Sequence, residues 1–190
     1  MAIREILQIN TPEGDAVLQA KARKVVRMDD DLRALTRDLI DTVVGAGNGV
    51  GLAAPQIGES VRMIAVNVPP DYLEEGDPGF QTVLYNPQIV RRRGGKVTDE
   101  EGCLSLRNWY GPVERNLTVI VRAHNLQDRE VRIEATGFVA RVLQHEIDHL
   151  DGVMFTDHMS DPTAIHYVDP NVPREDGNAD SEDDSAAADD

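Results

Sequence analysis

The segment His145-Glu146-Ile147-Asp148-His149 has the residue types and the spacing of a metal-binding helix. Two histidines four residues apart lie on one helical face, about one turn from each other, so both rings can reach one metal ion. The glutamate beside the first histidine projects next to that metal and is suited to accept a proton. The pattern therefore predicts His145 and His149 as metal ligands and Glu146 as an acid/base; two solvated histidines on a surface helix are the alternative.

The single cysteine of the chain is the candidate for a third ligand. Catalytic sites of this type usually have three protein ligands and one open position. Cys103 follows a predicted strand in the segment E-G-C-L-S at 101–105. A lone cysteine is most often a small buried hydrophobic residue. Beside the histidine pair, however, a thiolate would be a strong, soft ligand, which favours metal binding by Cys103.

A third segment, G-V-G-L-A-A-P-Q at 49–56, is rich in glycine. Taken alone, its glycines indicate a turn between a helix and a strand. The chain contains no glycine-rich phosphate-binding pattern, so the sequence gives no support for nucleotide binding.

The elements that must position these segments are predicted from periodicity. A 3.6-residue apolar period after Asp29 and up to Gly45 predicts one helix, and a second lies between Gly137 and Gly152 and includes both histidines. β-Branched residues predict strands over 61–68 and 82–90, and alternation predicts a hairpin of 117–123 with 130–135. Strands grouped between two helices without βαβ alternation predict an α+β fold.

Composition limits the class of protein. The chain has 190 residues, with 34 acidic and 19 basic side chains and a formal net charge of −15. No stretch approaches the roughly 20 apolar residues of a membrane span, and charges occur where a secretory signal would be apolar. One cysteine cannot form an internal disulfide. These features exclude collagen-like, disulfide-rich and integral membrane proteins, and we expect a soluble, cytoplasmic protein.

Charge also suggests the domain organisation. Residues 161–190 contain ten acidic side chains and one basic side chain, with few large apolar residues after Tyr167. We therefore predict one catalytic metallohydrolase domain over 1–162 and an acidic, disordered tail over 163–190. The only basic cluster, Arg91–Arg93, lies at a predicted strand end. With the negative overall charge, it gives no reason to expect direct nucleic-acid binding.

Together, the segments at 49–56, 101–105 and 144–149 resemble the three signature motifs of peptide deformylase, in the same order and at similar spacings. The resemblance extends over roughly residues 3–160. It implies a hydrolase that removes the formyl group from the N-terminal formylmethionine of newly made proteins and releases formate. It also implies a compact α+β fold with antiparallel sheets around a central helix that bears the histidine pair.

The resemblance implies a role for each motif residue. Cys103, His145 and His149 become the metal ligands, with Fe²⁺ the usual metal and Zn²⁺, Ni²⁺ or Co²⁺ as substitutes. Glu146 becomes the general acid/base, and Gln56 and the backbone N–H of Leu104 become donors to the oxyanion. The backbone at Gly49, Val50 and Gly51 becomes substrate-binding, with the carbonyl of Gly51 receiving the substrate amide.

The helix that carries the histidines also suggests a substrate pocket. Phe138 and Val142 lie one or two turns before His145 and face the same way, so we expect them to line a pocket for methionine. The expected partners are formylmethionyl nascent peptides. A transient contact with the ribosome is compatible with this role, and no membrane contact is expected. One departure from the family pattern is Arg107, where many members have proline.

Two other functions use the same residues. A general zincin-type metallopeptidase would also use the histidine pair but would need a cleft on both sides of the scissile bond. A non-catalytic metal-binding module would close the site with a fourth protein ligand in place of water.

Overall fold

The structure, a computed structural model, describes residues 3–171 and contains three α-helices in that range. They are α1 (Pro12–Leu18), α2 (Asp30–Gly45) and α3 (Gly137–Leu150). The side chain of Asp29 accepts a hydrogen bond from the N–H of Leu32, which caps α2 as its acidic start predicts. Helices α2 and α3 are confirmed, and α1 was missed because only seven residues form it.

Within the described range, six strands form one antiparallel sheet. Strands β1 to β5 are hydrogen-bonded in chain order, and β6 pairs with β4. The α+β class is therefore confirmed as an antiparallel sheet with a few helices. The strands are β1 (Gly51–Ala53), β2 (Met63–Val68), β3 (Phe80–Cys103), β4 (Leu106–His124), β5 (Glu130–Thr136) and β6 (His166–Tyr167).

Strand β3 is much longer than the predicted strand over 82–90. The strand was expected to end near Arg91–Arg93, but it continues. Gly94 and Gly95 both have φ of +74° and form an irregularity between Arg93 and Lys96, after which pairing with β4 resumes. The cluster Arg91–Arg93 therefore lies inside a strand. The chain can thus continue as one strand from the core to Cys103 at the functional site.

The predicted hairpin of 117–123 with 130–135 is confirmed as β4 and β5, although β4 begins earlier, at Leu106. The turn between them has the side chain of Asn125 accepting hydrogen bonds from the N–H groups of Gln127 and Arg129. The part of β4 before residue 117 was missed because Gly111 and Pro112 interrupt its alternation.

Helix α3 packs its apolar face against β1, β2, β4 and β5. Leu143 and Leu150 are fully buried in one core cluster with side chains from these strands. A second cluster forms where Leu39 and Val43 of α2 pack against residues of β1 and β2. The histidine pair is thus built on a helix whose opposite side is held by the core.

The beginning of the predicted acidic tail differs from the prediction. Residues 163–171 have a defined conformation, in which β6 pairs with Trp109 and Tyr110 of β4. The ring of Trp109 contacts that of Tyr167 at 5.6 Å, so aromatic contacts offset the cost of ordering this short segment. The rest of the predicted tail, 172–190, lies outside the described residues. No helix within 3–171 is long and apolar enough to cross a membrane.

An ion pair between the buried Arg62 and the largely exposed Asp151 holds the end of α3 against the sheet. The guanidinium of Arg62 donates to Asp151 Oδ1 at 2.8 Å and to the carbonyls of Leu150 and Pro87. Partial burial alone would raise the pKa of Asp151, but hydrogen bonds and charges from Arg62 and Lys21 lower it below its usual 3.8. The ionised carboxylate therefore stabilises the folded chain.

We expect Asp151→Asn to lower the free energy of unfolding by about 1 kcal/mol at pH 7. Because folding depresses the pKa of this carboxyl, its contribution is present above the unfolded value near 3.8 and is lost as the pH falls below it. Urea denaturation of both proteins from pH 7 downward measures the difference, with Asp71→Asn as an exposed control. A difference that does not shrink in acid would contradict this account.

Candidate metal centre

Three predicted ligands come together from two separate elements. Cys103 ends β3, and His145 and His149 lie on consecutive turns of α3. Nε2 of His149 is 3.2 Å from Sγ of Cys103 and 3.2 Å from Nε2 of His145. The candidate ligand atoms of all three lie within 4.8 Å of one another, so these residues could hold a metal ion.

The spacing and chemistry of these atoms fit a metal ion. Ligands at 2.0–2.3 Å from a tetrahedral centre are about 3.3–3.7 Å apart, close to the spacing observed here. Nδ1 of His145 is 3.0 Å from Oε2 of Glu101, which favours the tautomer with its proton on Nδ1 and a lone pair on Nε2. Burial lowers the pKa of His149 well below its usual value, so this ring stays neutral.

Glu146 lies beside these three residues and is almost completely buried. The residue is 4% exposed, and its Oε2 is buried without a hydrogen-bond partner among the described residues. Burial raises its pKa to about 7, helped by the negative charges of Glu101 and Asp148 and opposed by His145 and Arg115. A carboxyl group with this pKa can both accept and return a proton near neutral pH.

The side-chain amide of Gln56 has a fixed orientation. Its Oε1 accepts from the N–H of Ala53 at 2.8 Å, so its Nε2 points the other way, 3.5 Å from Sγ of Cys103 and 3.2 Å from Oγ of Ser105. The N-terminal segment supports both neighbouring loops, because Leu7 N–H donates to the carbonyl of Gln56 and Ile9 N–H to that of Ser105. A donor group is thus held at the edge of the ligand cluster.

A cavity of about 820 Å³ opens in front of these residues. The ring of Phe138 lines it and stacks on Tyr72 at 5.2 Å. Of the predicted site residues, His149 alone is not part of the lining, since it lies behind the others. The predicted residues that line the cavity are Gly49, Val50, Gly51, Gln56, Cys103, Leu104, Phe138, Val142, His145 and Glu146.

The sequence analysis missed a buried charge network behind the ligands. Glu101 accepts two hydrogen bonds from Arg115, at 2.9 and 3.0 Å, and Arg115 also pairs with Asp148. Burial would raise the pKa of Glu101, but hydrogen bonds and charges from His145 and Arg115 hold it well below its usual range. Glu101 belongs to the motif E-G-C-L-S at 101–105 but was given no role. No local pattern identified Arg115, which lies thirty residues before His145.

Arg107, the departure from the family pattern, is exposed and lines the same cavity. It belongs to β4, which begins at Leu106, directly after the turn that follows Cys103. The next residue, Asn108, has φ of +65°, a conformation that asparagine tolerates better than most residues. With Arg107 at this position, the chain still turns after Cys103 and pairs with β3 from Leu106 onward.

An antiparallel sheet and a helix that bring two imidazoles, one sulfur and an unpaired carboxyl group to one cavity define a metal-dependent hydrolase. Residues 3–164 match the family model for polypeptide deformylase. The chain belongs to the polypeptide deformylase family.

Individual relatives agree with the family match. The chain is 51% identical over 168 residues to a peptide deformylase of Thermomicrobium roseum, covering 88% of this chain and 92% of that protein. It is 46% identical over 157 residues to that of Desulforudis audaxviator, covering 83% and 94%. The crystal structure of a peptide deformylase from Legionella pneumophila is similar with a TM-score of 0.73 and 38% identity, over 84% of this chain and 87% of that one.

Family membership decides between the three functions in favour of the first. The chain is a hydrolase that removes the formyl group from formylated nascent peptides. The family is metal-dependent, and the Cys103, His145 and His149 group is a possible metal site.

A side chain at Gly51 would collide with Glu146. A Cβ added there would lie 2.8 Å from the carboxyl carbon of Glu146, so the carboxyl group would have to move. We expect Gly51→Ala to reduce kcat at least 100-fold, because a general acid/base supplies about 10²–10⁴-fold. Formate release measures kcat, and metal analysis should find parental metal content. Gly47→Ala, whose Cβ would meet nothing within 4 Å although φ there is +77°, is the control for a general effect on folding.

Proposed function

We propose that Cys103, His145 and His149 hold one divalent metal ion, Fe²⁺ in the cell, with Zn²⁺, Ni²⁺ or Co²⁺ as functional substitutes. The convergence of these three ligand atoms within 4.8 Å is the observation that carries the proposal. One thiolate and two imidazoles form a donor set that accepts several divalent metals. When bound, the ion supplies a Lewis acid for the formyl carbonyl and lowers the pKa of a coordinated water.

Glu146 moves the proton in this proposal. Its carboxylate accepts a proton from the attacking water, and the resulting nucleophile adds to the formyl carbon. The bond between this carbon and the substrate nitrogen then breaks, formate leaves, and Glu146 returns the proton to the amine. The pKa of about 7 supports both halves of this transfer.

Gln56 and Leu104 stabilise the negative charge on the former carbonyl oxygen. The amide group of Gln56 is oriented by Ala53 before substrate binds, so its Nε2 needs no reorganisation. The N–H of Leu104 follows the ligand Cys103 directly and supplies the second donor. Each well-placed donor of this type typically contributes about 3 kcal/mol.

The formylmethionine occupies the cavity in front of the ligands. The side chains of Phe138 and Val142 line its apolar part, and the backbone of Gly49, Val50 and Gly51 forms its other wall and binds the peptide chain. The ring of Tyr72 stacks on Phe138 and lines the same cavity. We propose formylmethionyl nascent peptides, met transiently at the ribosome, as the natural substrates.

The fold serves this site through α3, which we propose to be the central helix around which the sheet packs. The catalytic domain in this proposal covers 1–162, and the acidic segment that follows has no part in the chemistry.

A substrate comparison tests the activity. We expect formyl-Met-Ala-Ser to release formate, and acetyl-Met-Ala-Ser and internal peptides to be cleaved at least 100-fold more slowly. Cleavage of internal peptides at a similar rate would favour a general peptidase.

Replacement of Glu146 separates proton transfer from metal binding. We expect Glu146→Gln to lower kcat by about 10²–10⁴-fold and to keep parental metal content, because the amide cannot accept the proton. Formate release and metal analysis on the same preparation measure the two effects. Glu134→Gln, at an exposed glutamate paired with Arg93, should stay within twofold of the parent. Activity of Glu146→Gln within tenfold of the parent would remove Glu146 from this role.

Removal of residues 172–190 tests whether the acidic end of the chain takes part in folding or turnover. We expect the shortened protein, which keeps β6, to have parental kcat/KM on short formyl-peptides within twofold and an unchanged Tm. A large fall in either quantity would show that the acidic segment takes part in folding or turnover.

A further inference from the structure

The carboxylate of Glu101 lies behind the metal centre and is saturated with hydrogen bonds. Its Oε1 accepts from Arg115 Nε at 2.9 Å and from Arg141 Nη1 at 2.7 Å. Its Oε2 accepts from Arg115 Nη2 at 3.0 Å and lies 3.0 Å from Nδ1 of His145. Two carboxylate oxygens offer about four acceptor positions. Each is used, so the rotation of this carboxylate is set by all three partners.

Arg141 differs from Arg115 in how it is held. Its Nη1 also donates to the carbonyl of Val113 at 2.9 Å, and its Nη2 donates to that of Val97 at 2.8 Å. These carbonyls belong to β4 and β3, so the guanidinium plane is fixed by the backbone of the sheet and not by Glu101 alone. Arg115 divides its donors between Glu101 and Asp148, and Asp148 also contacts His158.

We propose that Arg141 is a positioning residue for the metal centre. It holds Oε1 of Glu101 toward the sheet, which leaves Oε2 turned toward Nδ1 of His145. The ring of His145 is thereby kept in one orientation and one tautomer, with Nε2 facing Cys103 and His149. Arg141 contacts none of these ligands and acts through Glu101. The inference rests on the proposed role of His145 as a ligand.

This arrangement predicts an effect on metal affinity before any effect on substrate. Outer partners that orient a ligating histidine typically change metal affinity by 10–100-fold when they are removed. Without Arg141, Arg115 alone would hold Glu101 and could pull both oxygens toward its own guanidinium. The histidine would then lose a fixed acceptor for its Nδ1 proton.

The test compares two arginines that are equally buried. Arg62 is 7% exposed, as is Arg141, and it likewise donates to two backbone carbonyls and one carboxylate. Its carboxylate, Asp151, contacts none of the proposed ligands. Arg141→Met and Arg62→Met therefore remove similar interactions, and only the first disturbs the support of His145.

The measurement is Co²⁺ affinity by competition with a chelator, together with the visible absorption spectrum of the Co²⁺-loaded full chain. For Arg141→Met we expect 10–100-fold weaker Co²⁺ binding, a shifted spectrum and a lower kcat with KM changed less than threefold. For Arg62→Met we expect a lower Tm with Co²⁺ affinity and spectrum like the parent. In a chain that already carries Glu101→Gln, Arg141→Met should weaken Co²⁺ binding much less than in the parent, because Arg141 acts through that carboxylate.

The results that would overturn the inference are specific. Parental Co²⁺ affinity and spectrum in Arg141→Met would overturn it. Equal losses of Co²⁺ affinity in Arg141→Met and Arg62→Met would also overturn it. If Arg141→Met does not fold, Arg141→Lys decides. Its ammonium keeps the charge but has its donors on a single nitrogen and cannot reproduce the planar fork of the guanidinium, so Co²⁺ binding should still weaken. Parental affinity in His145→Ala would instead overturn the proposed metal site, which keeps the two failures distinguishable.

Discussion

A buried carboxylate joins the strand that ends in Cys103 to the helix that carries the two histidines. Glu101 lies two residues before the cysteine, and its hydrogen bonds reach Arg115 on β4 and Arg141 and His145 on α3. Burying charges costs several kcal/mol per ion, and that cost is offset only when every donor and acceptor is paired. The network satisfies this condition at Glu101, so β3, β4 and α3 can adopt one relative position at low cost. The ligand cluster depends on that position.

The same burial separates the roles of the two glutamates in the site. Glu101 is surrounded by cations, and its pKa lies well below the usual range, so it remains an anion and an acceptor. Glu146 is equally buried but has an oxygen without a partner, and burial raises its pKa to about 7. Their environments alone thus hold one carboxyl group as an anion and leave the other able to titrate near neutral pH, which suits the proposed role of Glu146 as the proton carrier.

The sequence predicted the parts of the fold that depend on local pattern. Neighbouring residues alone carry the helical period of α2 and α3, the alternation of β4 and β5, and the histidine motif. Both helices and the hairpin are present in the structure. It did not predict that β3 continues past Gly94 and Gly95, because the pairing with β4 that carries it through is a long-range contact. For the same reason it missed Arg115 and Arg141, whose partner is brought to them only by the fold. Strand β6 was missed because two residues carry no period.

The central claim is that Cys103 is a metal ligand. X-ray absorption at the metal edge, on the protein loaded anaerobically with Fe²⁺ or Zn²⁺, tests it most directly. The proposed centre requires one sulfur at about 2.3 Å and nitrogen or oxygen ligands at about 2.0–2.1 Å, with the sulfur absent in Cys103→Ser. We expect that result for the parent protein. A spectrum of the active, metal-loaded chain without a sulfur neighbour would contradict the account, because Cys103 would then be a packed side chain and not a ligand.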